Sequence, residues 1–420
     1  MHGCAFVAAS TSGYLSFNRE YLEMKPTETE SILFTSGMTQ PGRPEYSWSG
    51  SGTPPRQIVS QEYSFNFPRR ANSLARSRNT CARSIRSRDP LDGSFLDAES
   101  PALHLICMLK VIIPTLNAAQ SWPQFASALL RCVRPEQVLI VDSESTDDTV
   151  ALASEAGFTV HSVSRSGFSH GGTRQRAAEM VTDADILIYM TQDAILADTE
   201  AIKNLLAVFD DSQVAAAYGR QLPRPMAGAI EAHARHFNYS ATPEVRSLES
   251  RRRLGIKTIF LSDSLSAYRR SALMEVGGFP EDTIFGEDTI TAARLLLAGY
   301  KVAYAAEARA YHSHSYTCMQ EFRRYFDIGV LHNRERWILD EFGQAHGEGK
   351  RFVLSELRYL WKRDALRIPS ALMRTGAKLI GYRMGRMEAH FSPEVKRKLS
   401  MNPKFWVPVA ASEEAKQGQH

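Results

Sequence analysis

No run of eighteen or more apolar residues occurs in the sequence, and its N-terminus has no basic flank leading into an apolar core. The first absence argues against a bilayer-spanning helix and the second against a secretion signal. Cysteine is scarce. Cys4, Cys81, Cys107, Cys132 and Cys318 have neither disulfide-framework nor zinc-motif spacing, which fits a reducing, cytoplasmic compartment. Charge of one sign is lacking too: 50 Lys and Arg against 46 Asp and Glu leave +4, so charge alone implies no nucleic-acid partner. The first predicted strand runs into Pro-Thr-Leu-Asn without a Gly-x-Gly-x-x-Gly turn, which disfavours a dinucleotide dehydrogenase.

Residues 1–107 also lack any sustained hydrophobic period, and Ser, Thr, Pro, Gly and Arg dominate them. They read as disordered. Their basic cluster, Arg69, Arg70, Arg76, Arg78, Arg83, Arg86 and Arg88, has the composition of a nucleic-acid arm or a transit peptide. Organised sequence begins abruptly at Met108, so the preferred reading makes Met108 the true start and residues 1–107 a mis-annotated extension.

What is present from Lys110 onward is strand, turn and helix in repetition, the pattern of a mostly parallel α/β sheet with helices on its faces. With 43% hydrophobic residues and 10% aromatics, the chain can bury a sizeable core. The central stretch is residues 185–194. Ile186, Leu187, Ile188 and Tyr189 are continuously apolar, as in a strand covered on both faces, and the run ends at Asp193. Ligands of open α/β sheets bind beyond the carboxyl ends of strands, so Asp193 stands where chemistry is expected. Further strands are predicted over 111–114, 137–142 (ending on Asp142), 158–163, 214–221, 258–267 and 301–310, with a loop-rich insertion over 222–257.

Several side chains could carry chemistry. Gly171 and Gly172 precede a helix, where backbone N–H groups can approach an anion, and His170, Arg174 and Arg176 stand beside them. A phosphate site and a solvated basic face are both compatible with that pattern. His233 and His236 lie three apart as metal ligands or as packing residues. Glu287 and Asp288 open a helix after a glycine turn, as dipole caps or as catalytic acids. In a strand, His312 and His314 would share a face and could meet a metal or phosphate together.

The strings VIIPTLN, VDSESTDDT, FSHGGTRQRAA, TQDA, AYGRQLPRP, GIKTIFLSDSLSAYRR, GGFPEDTIFGEDT and HSHSYTCMQEFRRYFDIG occur in one order between Met108 and about His332. In that order they resemble the family 2 glycosyltransferases of the GT-A fold, most closely the bacterial rhamnosyltransferases of cell-surface polysaccharide synthesis. The resemblance implies a catalytic domain over 108–317 and inverting transfer of a sugar, with L-rhamnose from dTDP-rhamnose preferred. The acceptor would be a saccharide or lipid-linked saccharide. A hexosamine or galactofuranose donor, or a non-catalytic nucleotide-sugar-binding role, is the alternative.

It further implies that Pro114, Thr115, Asn117 and Asp142 hold the donor's base and ribose. His170, Gly171, Gly172 and Arg174 would approach its pyrophosphate and sugar, beside Gln192 and Asp193. Asp193 and His312 would bind Mg²⁺ or Mn²⁺, although Gln192 stands where many relatives have a second acid. Asp288 is implied as the general base beside Glu287, with Asp263 and His314 as acceptor-side candidates. Residues 318–420 are expected to be helical and basic. Between Lys350 and Arg386, basic residues interleave with Leu354, Leu357, Leu360, Trp361, Leu372, Leu379 and Ile380, a pattern suited to peripheral contact with an anionic membrane.

Overall fold

A computed structural model describes residues 109–344 and 347–407, apart from the side chain of Ser166. The expectations for residues 1–107 and Met108 fall outside these residues. The described strands are β1 (Leu109–Thr115), β2 (Val138–Asp142), β3 (Thr159–Ser162), β4 (Ile186–Met190), β5 (Ile195–Leu196), β6 (Val214–Leu222), β7 (Glu244–Arg246), β8 (Leu265–Arg269) and β9 (Lys301–Tyr311). They form one sheet in the order β3-β2-β1-β4-β8-β6-β9-β5, with β7 pairing β9. Strands β3, β2, β1 and β4 are parallel; β8 is antiparallel to both β4 and β6, and β6 is parallel to β9. Six strands therefore run one way, and their carboxyl ends share one edge.

The central strand shows why this order is stable. Side chains alternate across a strand, so Ile186, Ile188 and Met190 enter one hydrophobic cluster while Leu187 and Tyr189 enter the other. The helices of this part of the chain are α1 (Trp122–Leu130), α2 (Thr149–Glu155), α3 (His170–Met180), α4 (Ala201–Leu206), α5 (Ala229–Asn238), α6 (Arg251–Leu254), α7 (Arg270–Glu275) and α8 (Glu287–Leu297), and all but the short α6 add side chains to the two clusters. The insertion expected to be loop-rich contains α5, whose buried His233 packs on Phe352 and Tyr359 with ring centroids 5.0 and 5.4 Å apart. His233 Nε2 lies 3.0 Å from Ser355 Oγ, so the packing reading of this histidine holds. The strand expected over 258–267 begins only at Leu265. Residues Gly255–Ile259 form a 3₁₀ turn, and the polar run Ser262-Asp263-Ser264 bonds sideways through its side chains.

The C-terminal extension is helical as expected: α9 (Cys318–Arg334), α10 (Arg336–Phe342), α11 (Glu348–Arg363), α12 (Ile368–Arg386) and α13 (Pro393–Leu399). Helix α9 starts at a capping box in which Thr317 Oγ1 accepts from Gln320 N and Gln320 Oε1 accepts from Thr317 N. It crosses α12 at backbone contact. A Cβ added to Gly385 would lie 2.0 Å from Phe326 O, and one added to Gly381 would lie 2.3 Å from Phe322 O. Overpacking of this kind costs roughly 1–3 kcal/mol, so Gly385→Ala is expected to lower unfolding stability by that amount in a denaturant titration. An unchanged midpoint would show that the two helices separate freely.

Candidate active site

The carboxyl-end edge collects most of the residues singled out above. Asp142 ends β2 buried, accepting from Thr115 Oγ1 (3.1 Å), Ser145 N (2.8 Å) and Ser145 Oγ (2.5 Å). Asn117, at φ 49, is held in the left-handed region as its Oδ1 accepts from Thr146 N at 2.8 Å. Pro114 lies in β1 at register with Val141. Gln192 is placed beside them, but both ends of its amide serve the backbone of Leu116, accepting from its N (2.7 Å) and donating to its O (3.1 Å). The glutamine at the expected acid position thus fixes the loop after β1.

Asp193 lies among three cationic or ligating side chains. Its Oδ1 is 3.4 Å from His312 Nε2, and its Oδ2 is 3.6 Å from His314 Nε2 and 3.7 Å from Arg224 Nη2. The two Nε2 atoms are 3.0 Å apart. His312 and His314 follow β9 instead of lying in it, and they converge because His312 N donates to Leu222 O at the end of β6. Burial pushes the His312 imidazole below its ordinary pKa and that of His314 down to about 3, so both rings are neutral at pH 7. His312 Nδ1 lies 3.0 Å from Gln221 Oε1, an atom that also accepts from Arg235. That acceptor requires the proton of a neutral ring on Nδ1 and leaves a lone pair on Nε2, aimed at Asp193.

Asp193 Oδ1 is itself buried without a hydrogen-bond donor. A carboxylate oxygen and imidazole lone pairs converging within 4.8 Å fit a divalent cation, which would relieve their mutual repulsion. Gln221, Arg224 and Arg235 received no role from the sequence. Gln221 could have been found, because it is a polar residue closing an apolar strand at the same edge as Asp193.

A second cluster is acidic. Glu287 and Asp288 occupy the first turn of α8 behind Gly286, whose φ of 80 suits glycine. Arg174 pairs with Glu287 Oε1 at 2.5 Å through Nη1 and with Asp263 Oδ2 at 3.0 Å through Nε. Asp263 Oδ1 also accepts from Ser266 Oγ and Tyr268 OH, each at 2.7 Å. Arg174 and Asp263 are therefore interior partners of the acids, whereas the expectations set Arg174 on the donor's pyrophosphate and Asp263 on the acceptor side. Gly171 has a packing reason as well, since a Cβ there would lie 1.8 Å from Pro280 O. His170 opens α3 and packs edge-on against Phe168 at 5.2 Å.

Three carboxyls facing one guanidinium cannot all ionise cheaply in a buried site. Burial, then Glu287 and Asp263, push the Asp288 carboxyl well above the ordinary range. Glu287 is raised by burial, opposed by Arg174. Asp288 accepts from Thr289 N at 2.7 Å through Oδ1.

Comparison with known proteins identifies the family of the chain. The glycosyl transferase family 2 profile matches residues 110–277. An O-antigen chain rhamnosyltransferase of Salmonella typhimurium is 46% identical over 312 residues, covering 73% of this chain and 99% of that protein. One of Salmonella anatum is 44% identical over 310 residues, covering 73% and 98%. Among solved structures, a mannosyltransferase of Pyrobaculum calidifontis in complex with GDP-Man and Mn²⁺ is 18% identical, covering 74% of this chain and 88% of its own, with a TM-score of 0.42. The chain belongs to glycosyl transferase family 2 and is a glycosyltransferase.

Proposed function

We propose that the enzyme transfers L-rhamnose from dTDP-rhamnose, with inversion, to a saccharide or lipid-linked saccharide acceptor in O-antigen-type polysaccharide synthesis. The observation that carries this reading is the match to two O-antigen chain rhamnosyltransferases along 99% and 98% of their lengths. Asp142, Thr115 and Asn117 hold the base and ribose, with Pro114 shaping the strand end and Gln192 fixing the loop from behind. His170 and the N-terminal turn of α3 face the sugar and diphosphate.

Asp193, His312 and His314 hold a divalent cation, and their imidazole donors favour Mn²⁺ over Mg²⁺. When bound, that ion neutralises charge on the departing diphosphate. Asp288 accepts the proton of the acceptor hydroxyl as the new bond forms, and its raised pKa makes it a stronger base than a solvated carboxylate. Arg174 holds Glu287 and Asp263 in place, which keeps negative charge beside Asp288. With purified protein, Mn²⁺ and a polysaccharide-derived acceptor fraction, dTDP-rhamnose is expected to release its nucleoside diphosphate at least tenfold faster than UDP-hexosamines or UDP-galactofuranose. Faster release from one of the others would overturn the donor assignment.

The enzyme is further proposed to sit peripherally on the cytoplasmic face of the membrane. No helix among the described residues is long and apolar enough to cross one. The stripe Phe352, Glu356 and Leu360 of α11 packs inward, yet Trp361 is 75% and Leu366 92% exposed, with Leu354, Leu372, Met373 and Ile380 also exposed. Arg358, Lys362, Arg363 and Arg367 surround them on the surface. Each such basic residue contributes about 1 kcal/mol near anionic lipid. Sedimentation is expected with phosphatidylglycerol vesicles at low salt, with little at high salt or with phosphatidylcholine, and Trp361→Ser with Leu366→Ser should weaken it. Binding indifferent to lipid charge would contradict the proposal.

A further inference from the structure

A cavity of about 280 Å³ opens beside the Asp193 cluster, between the amino end of α5, the His314-Ser315-Tyr316 loop and helices α9, α11 and α12. Its volume falls just below the range usual for small-ligand sites, roughly 300–1,000 Å³, which is room for one ring and not for an oligosaccharide. Most of its wall lies after residue 277, beyond the segment that the family profile matches. Tyr316, Tyr325 and Phe352 supply aromatic surface, and Glu321, Glu356 and Lys378 supply polar groups.

The wall carries five cations against the acids Glu231, Glu321 and Glu356, and three of those cations direct donors into the protein. Lys378 Nζ lies 3.4 Å from Glu321 Oε1, Arg374 donates to Tyr316 O, and Arg235 donates to Gln221 Oε1. These bonds commit donors without cancelling the charges of Arg235 and Arg374, and the acids interleaved with them suit a hydroxyl-rich ligand that both donates and accepts. Burial pushes the Glu356 carboxyl up to about 7, so near neutrality it can both donate to and accept from a hydroxyl. Neither Asp193 nor Asp288 lines the cavity, which meets the reacting centre through His314.

Resting on the glycosyltransferase reading above, we propose that this cavity is an acceptor subsite that binds one uncharged sugar ring adjacent to the ring being glycosylated. Glu356 and the Lys378–Glu321 pair bond its hydroxyls, and the aromatic rings cover its C–H faces. The subsite anchors the acceptor and thereby sets which saccharide end is extended.

The test uses the full chain and methyl glycosides of glucose, galactose, mannose, rhamnose and N-acetylglucosamine as probes, read by saturation-transfer NMR. At least one is expected to bind. Glu356→Gln on α11 and Lys378→Met on α12, made separately so that each checks the other, are expected to weaken it about tenfold, as for loss of one or two hydrogen bonds. Affinity for dTDP with Mn²⁺, measured by calorimetry, is expected to stay within twofold in both. The proposal is overturned if no glycoside binds, if binding is unchanged in both variants, or if sodium pyrophosphate saturates the cavity and the glycosides do not. Glycoside binding with no turnover of dTDP-rhamnose would fault the donor reading and leave the subsite standing.

Discussion

Asp288→Asn is expected to cut sugar transfer by at least a hundredfold while leaving donor affinity within about twofold, the effect of removing a positioned base. The amide keeps the shape of the carboxyl and its bond from Thr289 N, so the helix start is preserved. It cannot take a proton. The parent's pH profile supplies a second readout. Because burial, Glu287 and Asp263 raise the Asp288 pKa, transfer should rise with pH along a limb displaced upward from the ordinary carboxylate value near 4. That limb should be absent from the residual activity of the variant. Near-normal turnover in Asp288→Asn would remove this residue from the chemistry and leave Glu287 as the acid to test.

Asp193→Ala is expected to have an effect of similar size by a different route. It removes the one carboxylate in the Asp193–His312–His314 group, leaving two neutral imidazoles with Nε2 atoms 3.0 Å apart and no charge to hold a cation. Titration of dTDP in the presence and absence of Mn²⁺ should show metal-dependent affinity in the parent, falling at least a hundredfold in the variant, with the metal-independent remainder unchanged. Donor affinity that ignores Mn²⁺ in the parent would refute the cation assignment without touching the fold. Arg224 donates to the backbone O of Asp193 at 2.6 Å, so the loop keeps an anchor in the variant.

The parts of this arrangement that were legible in the sequence are those written by local pattern. Residues 186–190 are apolar on both faces, and only a central strand buries both, which puts Asp193 at the carboxyl-end edge of the sheet. The same pattern puts Asp142 at the end of β2, and the glycine turn puts Glu287 and Asp288 at the start of their helix, where the structure has them. Pairings across long separations were not legible. Arg174 beside two glycines fits a phosphate site or a solvated basic face, yet it pairs with Glu287, 113 positions away, and nothing in its own neighbourhood says so.

Gly171 carries a second constraint that its neighbours in sequence do not reveal, since a Cβ there would meet the backbone of Pro280. Position 192 was recognised as a departure from a two-acid motif, but its use as a clamp on Leu116 depends on how β1 and β4 lie in register. His312 and His314 were paired for a strand geometry they do not have. They meet because the chain turns at the end of β9 where it hydrogen-bonds to β6. The apolar residues of 350–386 split into an inward stripe that packs on α5 and α9 and an outward set, a division that amphipathic spacing alone does not make.

The central claim is a single in-line displacement on a rhamnosyl donor, with Asp288 as base and no covalent sugar–enzyme intermediate. The most direct measurement is the anomeric configuration of the product formed from dTDP-β-L-rhamnose, read from the one-bond C1–H1 coupling by NMR. An α-L-rhamnosyl product is the predicted result; a β-linked product would contradict the mechanism.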